Sequence, residues 1–234
     1  VLDDADLEKA VEFAINGAFF SAGQRCTASS RLIVTKDIHD SFVDAMSKRM
    51  ELLRIGDARN PNTDIGPVVS EAQLKKNLEY LRIGVDDGAK HLMGGHQVEQ
   101  KTPGWYLSPA LFIDAKSEMQ ICREEIFGPI AAVISVSDYD EALSVANDSE
   151  FGLSAGIVSS DRRIIDHFID NIQAGMVQIN LPTAGMDFHA PITGQKNSSF
   201  GPPEKSSYCR EFFTNTKVIH ANYGKRLNSK REGS

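Results

Sequence analysis

Apolar residues first recur at helical spacing through Leu7, Ala10, Val11, Ala14, Ile15, Ala18 and Phe19, an amphipathic stripe of about three turns. Asp3, Asp4 and Asp6 precede that stripe, where carboxylates cap free N–H groups and suit the helix dipole. Three clustered aspartates could also suggest a cation site, but at a helix start capping accounts for them. Gly23 is placed to stop the helix in a left-handed conformation. Val1-Leu2 reads as the end of a strand, and Arg31–Thr35 as a buried strand. Asp37 then caps a second helix with Ile38, Phe42, Met46, Met50 and Leu53 along one face. A third helix is expected over Glu71–Asp86, with strands at Lys90–Met93 and Ala110–Ile113.

The continuous apolar run Ile130–Val136 suits a strand covered on both faces. Asp138 opens a helix reaching about residue 147, residues 153–158 form a strand, and Asp161 caps a helix carrying Ile164, Ile165, Phe168, Ile169 and Ile172. Residues 176–180 form the next strand after Gly175, and residues 181–208 form a long Gly-, Pro- and Ser-rich ordered loop. Residues 212–220 close with a strand-like run. This alternation predicts an α/β fold, a mostly parallel sheet covered by helices. There is no internal repeat, no Gly-x-Gly-x-x-Gly and no Walker-type loop to cradle a pyrophosphate.

Composition narrows the function classes. Of the 234 residues, 25 are basic and 32 acidic, and the net charge of −7 argues against nucleic-acid or anionic-membrane partners. Three widely spaced cysteines do not form a disulfide framework, which points to a reducing, cytoplasmic setting. No apolar run is long enough for a membrane span, and the start lacks a signal-peptide layout. His91 and His96 have no second ligand pair nearby, so no metal site is expected. No Gly-x-Ser-x-Gly elbow is present, whereas a Cys-His thiol hydrolase with His189 or His167 as base stays open.

Cys26 is the candidate centre. It stands at a junction between elements, among small and polar residues, where a thiol can be held exposed; Cys122 and Cys209 read as packing or partly exposed thiols. On its own a lone cysteine is more often inert packing. Its context changes that reading. Phe19-x-x-x-Gly23-Gln24-x-Cys26-Thr27-Ala28 is followed about a hundred residues later by Glu124-Glu125-Ile126-Phe127-Gly128-Pro129, with Arg54-Ile55-Gly56-Asp57 and Phe151-Gly152-Leu153-Ser154-Ala155 also in place. Together these segments resemble the catalytic half of the NAD(P)-dependent aldehyde dehydrogenase family, over residues 1 to about 220.

The resemblance implies that Cys26 attacks a small-molecule aldehyde to give a thiohemiacetal and then a thioester, with its backbone N–H among the oxyanion donors. It implies NAD or NADP as cofactor, with Glu125 accepting from the nicotinamide ribose and Phe127 beside it. Arg25, Thr27 and Phe188 are expected to line the aldehyde pocket. If residues 26–30 begin a helical turn, its free N–H groups would also activate the thiol. The run from Ile179 to Gly185, with Gly201-Pro202 later, is similar to enzymes acting on 2-oxoglutarate semialdehyde.

The implied organisation is a catalytic domain over residues 1–211, an oligomerisation strand over 212–220 that serves a homo-dimer or tetramer, and a flexible tail over 221–234. The family's dinucleotide-binding domain, its general-base glutamate and its oxyanion asparagine are absent from these residues, so the isolated chain is expected to be inactive. Two alternatives stay open: a non-catalytic remnant acting as an oligomerisation or interaction module, and a thiol esterase.

Overall fold

The computed structural model describes residues 1–185 and 187–224. In chain order the elements are α1 (Leu7–Phe19), β1 (Arg31–Thr35), α2 (Lys36–Glu51), α3 (Glu71–Asp86), β2 (Lys90–Met93), β3 (Gln97–Val98), β4 (Tyr106–Leu107), β5 (Ala110–Ile113) and α4 (Gln120–Arg123). They continue with β6 (Ile130–Val136), α5 (Tyr139–Asn147), β7 (Phe151–Gly152), β8 (Ser154–Ile157), α6 (Arg162–Asn171), β9 (Met176–Ile179), β10 (Gln195–Lys196) and α7 (Tyr208–Phe213). The main sheet has the order β1-β6-β5-β2, parallel except for the antiparallel edge strand β2. Strands β8 and β9 form a separate parallel pair.

The apolar run of β6 is buried on both faces, as its composition predicts. Ala131 and Val133 join Leu32, Val34, Leu111 and Ile113 in a core with α1 and α2, while Ile130, Ala132 and Ile134 join Phe112 in a core beneath α3. A third, smaller core lies between β8–β9 and α6, around Ile157, Phe168 and Ile172. The two sheet pieces meet at the first two residues. The Val1 amine donates to the Ile33 carbonyl, Thr35 N–H donates to the Val1 carbonyl, and Leu2 N–H donates to the Val158 carbonyl.

All three early aspartates have structural work. Asp6 caps α1 by accepting from Lys9 N–H, Asp3 accepts from the Thr35 hydroxyl, and Asp4 accepts from Ser159, Ser160 and Asp161 at the start of α6. Two expectations shift. Helix α2 starts two residues early, with Thr35 as a cap lacking a side-chain bond, so Asp37 falls inside the first turn. At the other end, Phe212 and Phe213 close α7 and residues 214–220 carry no regular structure. In this single chain no neighbouring strand offers that segment a ladder, and its backbone stays exposed. The expected tail lies outside the described residues from position 225 onward. Among the described residues, no helix is long and apolar enough to cross a membrane.

Phe112 is fully buried, packed against Gly84 of α3 and stacked on His91 at 4.9 Å between centroids. Phe112→Ala is expected to cost about 3–5 kcal/mol in chemical denaturation. Val69→Ala, at a 78% exposed position, should stay within about 0.5 kcal/mol.

Candidate active site

Helix α1 ends at Phe19, and the chain reverses through three consecutive left-handed residues, Ser21, Ala22 and Gly23, with φ of 58°, 55° and 64°. Two of these carry side chains, which costs about 1–2 kcal/mol each. Two bonds, one local and one long-range, hold the reversal: Gln24 N–H donates to the Ser21 carbonyl, and the Gln24 side-chain oxygen accepts from Val69 N–H. The Arg25 guanidinium turns back and donates to the carbonyls of Asn16 (2.5 Å) and Phe20 (2.9 Å), which the end of a helix leaves without partners. Arg25 thus fastens the turn to α1.

Cys26 follows in a turn closed by Ala28 N–H donating to the Arg25 carbonyl at 2.9 Å. No helix begins there, so the expected stack of helix N-terminal amides is replaced by this one turn. The turn leaves the thiol exposed, and among the described residues the N–H groups of Cys26 and Thr27 meet no acceptor.

The second motif is pressed directly against this turn. A β-carbon built on Gly23 would lie 2.1 Å from the Gly128 carbonyl oxygen, and one on Gly128 would lie 2.3 Å from Asn77 Nδ2. Backbone therefore meets backbone, with fully buried Asn77 of α3 behind. The Gln73 amide, one helical turn away, donates to Asn77 Oδ1 and to the carbonyls of Ile126 and Phe127. Phe127 itself is left-handed, with φ of 58°. This loop separates the roles of its two carboxylates. Glu124 accepts from Tyr80 Oη at 2.6 Å and from Gln120; these bonds hold it below the usual carboxylate range. Burial, with Glu124 alongside, pushes the Tyr80 hydroxyl up to about 12. Glu125 is exposed, and among the described residues no donor reaches its carboxylate.

A third wall comes from the long loop after β9. Thr183 Oγ1 donates to the Thr27 carbonyl at 2.7 Å, so Ser29 Oγ must be the donor in its 2.7 Å bond to Thr183. Cys26, Arg25, Glu125, Phe127, Leu181 and Thr183 line one cavity of about 470 Å³. Two expected pocket residues lie elsewhere. Thr27 contributes its carbonyl to the Thr183 clamp and does not line the cavity. Phe188 is 72% exposed and rests on His189, 3.7 Å between centroids. The candidate bases stand apart as well: His167 bonds Tyr139 Oη and His189 bonds Asp187, and neither lines the Cys26 cavity. Among the described residues, no group of three His, Cys, Asp or Glu could hold a metal ion.

Gln73, Asn77 and Thr183 were not singled out from the sequence. A signal existed for the helical pair, since Asn77 interrupts the apolar stripe of α3 between Leu74 and Leu81. Thr183 carried none, because its partners are 154 and 156 residues away.

A sequence profile described as "Aldehyde dehydrogenase family" matches residues 1–219. The chain is 43% identical to an alpha-ketoglutaric semialdehyde dehydrogenase of Bacillus subtilis, covering 94% of this chain and 45% of that protein. It is 40% identical to an alpha-ketoglutarate semialdehyde dehydrogenase of Haloferax volcanii, over 95% of this chain and 46% of that one. The crystal structure of an NAD-dependent aldehyde dehydrogenase from Sinorhizobium meliloti superposes with a TM-score of 0.89 at 34% identity, over 96% of this chain and 44% of that one. The chain thus spans under half the length of these relatives.

The glycine contact yields a direct test. Gly88→Ala adds a β-carbon into open space at φ of 98° and should cost about 1–2 kcal/mol from backbone strain alone. Gly23→Ala meets the Gly128 backbone, which no rotamer change can relieve, and should cost about 3 kcal/mol or more. Equal losses in urea denaturation would contradict the contact.

Proposed function

The chain belongs to the aldehyde dehydrogenase family, and from that membership we propose that it is the catalytic half of such an enzyme, with Cys26 as its nucleophile. The observation that carries this reading is the exposed Cys26 thiol on the wall of a cavity that Glu125 and Phe127 also line. In this proposal Cys26 Sγ adds to the aldehyde carbon, forming the C–S bond while the carbonyl π pair moves to oxygen. The N–H groups of Cys26 and Thr27, which meet no acceptor among the described residues, are the donors this chain supplies to that oxyanion. Arg25, Gln73 and Thr183 act through position alone, by holding the two loops that meet at the thiol.

The residues facing the cavity also fit NAD or NADP. Glu125 has both carboxylate oxygens uncommitted, as a vicinal diol needs, and Phe127 lies beside it in a backbone conformation fixed by Gln73. When bound, NAD(P)+ supplies the hydride acceptor that takes the Cys26 adduct to a thioester. Water then attacks the thioester carbon and the Cys26 thiolate leaves, giving the carboxylate product.

Kinship to the alpha-ketoglutarate semialdehyde enzymes supports 2-oxoglutarate semialdehyde as the aldehyde. That support is one of sequence. The three arginines around the cavity are already committed, Arg25 to α1 carbonyls, Arg31 to the carbonyls of Val145 and Ala146, and Arg123 to Asp148. Residues 212–220, exposed and apolar at Phe212, Phe213, Val218 and Ile219, are proposed to pair with a neighbouring subunit of a dimer or tetramer.

Thiol chemistry tests the reading. Burial pushes Cys122 up to about 11, so at pH 8 iodoacetamide should modify Cys26 at least about tenfold faster than Cys122, as followed by peptide mass spectrometry. Equal rates would overturn the assignment of the nucleophile. These 234 residues contain neither the dinucleotide-binding domain nor the general-base glutamate that the resemblance implies. Incubated alone with 2-oxoglutarate semialdehyde and NAD+, they should therefore form no NADH; formation of NADH that disappears in Cys26→Ala would contradict that division of labour.

A further inference from the structure

The loop that carries Thr183 leaves β9 at Asn180, and this residue combines backbone strain with a fully committed side chain. Asn180 N–H donates to the Ile157 carbonyl at 2.9 Å, which closes the ladder between β8 and β9. The chain then turns with Asn180 in a left-handed conformation, φ of 51°. Asparagine is among the few residues with a side chain that visit this region readily. Its carboxamide folds onto Ser159: Oδ1 accepts from Ser159 N–H at 3.1 Å, and Nδ2 donates to the Ser159 carbonyl at 3.0 Å. One side chain thus supplies both halves of a peptide-like rung to a buried residue. Ser159 is fixed from its other side as well, because its hydroxyl donates to Asp4 at 2.9 Å.

The direction set at Asn180 carries to Thr183 with little slack. Pro182 has a fixed φ, and the residue before a proline is restricted to extended conformations, so neither Leu181 nor Pro182 adds much freedom. Thr183 then reaches a seat between two glycines. A β-carbon on Gly17 of α1 would lie 3.1 Å from Thr183 Oγ1, and one on Gly156 of β8 would lie 3.2 Å from Thr183 Cγ2. In that seat the Thr183 hydroxyl donates to the carbonyl of Thr27, the residue after Cys26.

We propose that Asn180 is a positioning residue for Cys26: its carboxamide pair with Ser159 sets the course of the loop, and so places the Thr183 hydroxyl on the turn that holds the thiol. The effect on the turn stands on geometry alone, while its consequence for the reaction rests on Cys26 being the nucleophile. Asparagine is specific to the task. Glycine would keep the φ but lose both bonds to Ser159. Aspartate would keep the acceptor but set a carboxylate against the Ser159 carbonyl.

The test compares the 234-residue chain with Asn180→Gly, Asn180→Asp and Thr183→Val. Hydrogen exchange is read at the amides of Ala28 and Ser29, which donate to the Arg25 and Gly17 carbonyls at the Cys26 turn. Each variant should exchange at least tenfold faster there, and Asn180→Gly combined with Thr183→Val should exceed neither single change. Gly88→Ala, strained at a φ of 98°, should leave both amides unchanged. In Asn180→Asp the acceleration should shrink as the pH falls through the carboxylate range near ~4, because a protonated carboxyl regains the donor. Carbon NMR with a carbonyl-¹³C aldehyde should show the Cys26 thiohemiacetal at least fivefold less populated in Asn180→Gly than in the wild-type chain. Unchanged exchange in Asn180→Gly, multiplicative effects in the double variant, equal acceleration in Gly88→Ala or a flat pH profile in Asn180→Asp would overturn the role of Asn180. An adduct equally populated in the wild-type chain and Asn180→Gly would overturn it too, whereas a wild-type chain that forms no adduct fails the nucleophile reading and leaves exchange to decide Asn180.

Discussion

The Gly128 carbonyl lies against the α-carbon of Gly23, with no room for a side chain on either residue. Much of the site's geometry follows from this approach. It brings a turn that leaves α1 within reach of a loop that precedes β6, although about a hundred residues separate them in sequence. Only glycine permits two backbones to approach so closely, and at Gly23 the left-handed φ adds a second reason for it. Cys26 lies three residues beyond one glycine, and Glu125 and Phe127 lie just before the other, so one contact fixes the relative position of all three.

The approach requires strain on both sides. Ser21, Ala22 and Phe127 adopt left-handed conformations that side chains disfavour. Several hydrogen bonds offset that cost: the Arg25 guanidinium on the last carbonyls of α1, the Gln73 amide on the carbonyls of Ile126 and Phe127, and Thr183 on the carbonyl of Thr27. None of these side chains needs to touch a substrate to matter. They keep an exposed thiol at a set place on a cavity wall, which a flexible loop would not do.

Much of the scaffold was legible in the sequence because its signals are local. The period of α1, the two-sided burial of β6, and the caps at Asp6, Asp138 and Asp161 depend on neighbours within a few residues. Cys26, Glu125 and Phe127 were legible through their motifs, and the structure brings them to one cavity. The position of Phe188 and the anchoring role of Arg25 were not, because each depends on where a loop turns in space. Residues 212–220 have the composition of a strand, but a strand also needs an edge to pair with, and composition does not say which chain provides it.

The central claim is that the junction after α1 presents Cys26 as a nucleophile toward an aldehyde. Carbon NMR with an aldehyde enriched in ¹³C at its carbonyl reads that chemistry at the reacting atom. The claim predicts a tetrahedral thiohemiacetal resonance when the aldehyde is mixed with the chain, and no such resonance with Cys26→Ala. A carbonyl signal unchanged by the wild-type chain, or an adduct that persists in Cys26→Ala, would contradict it.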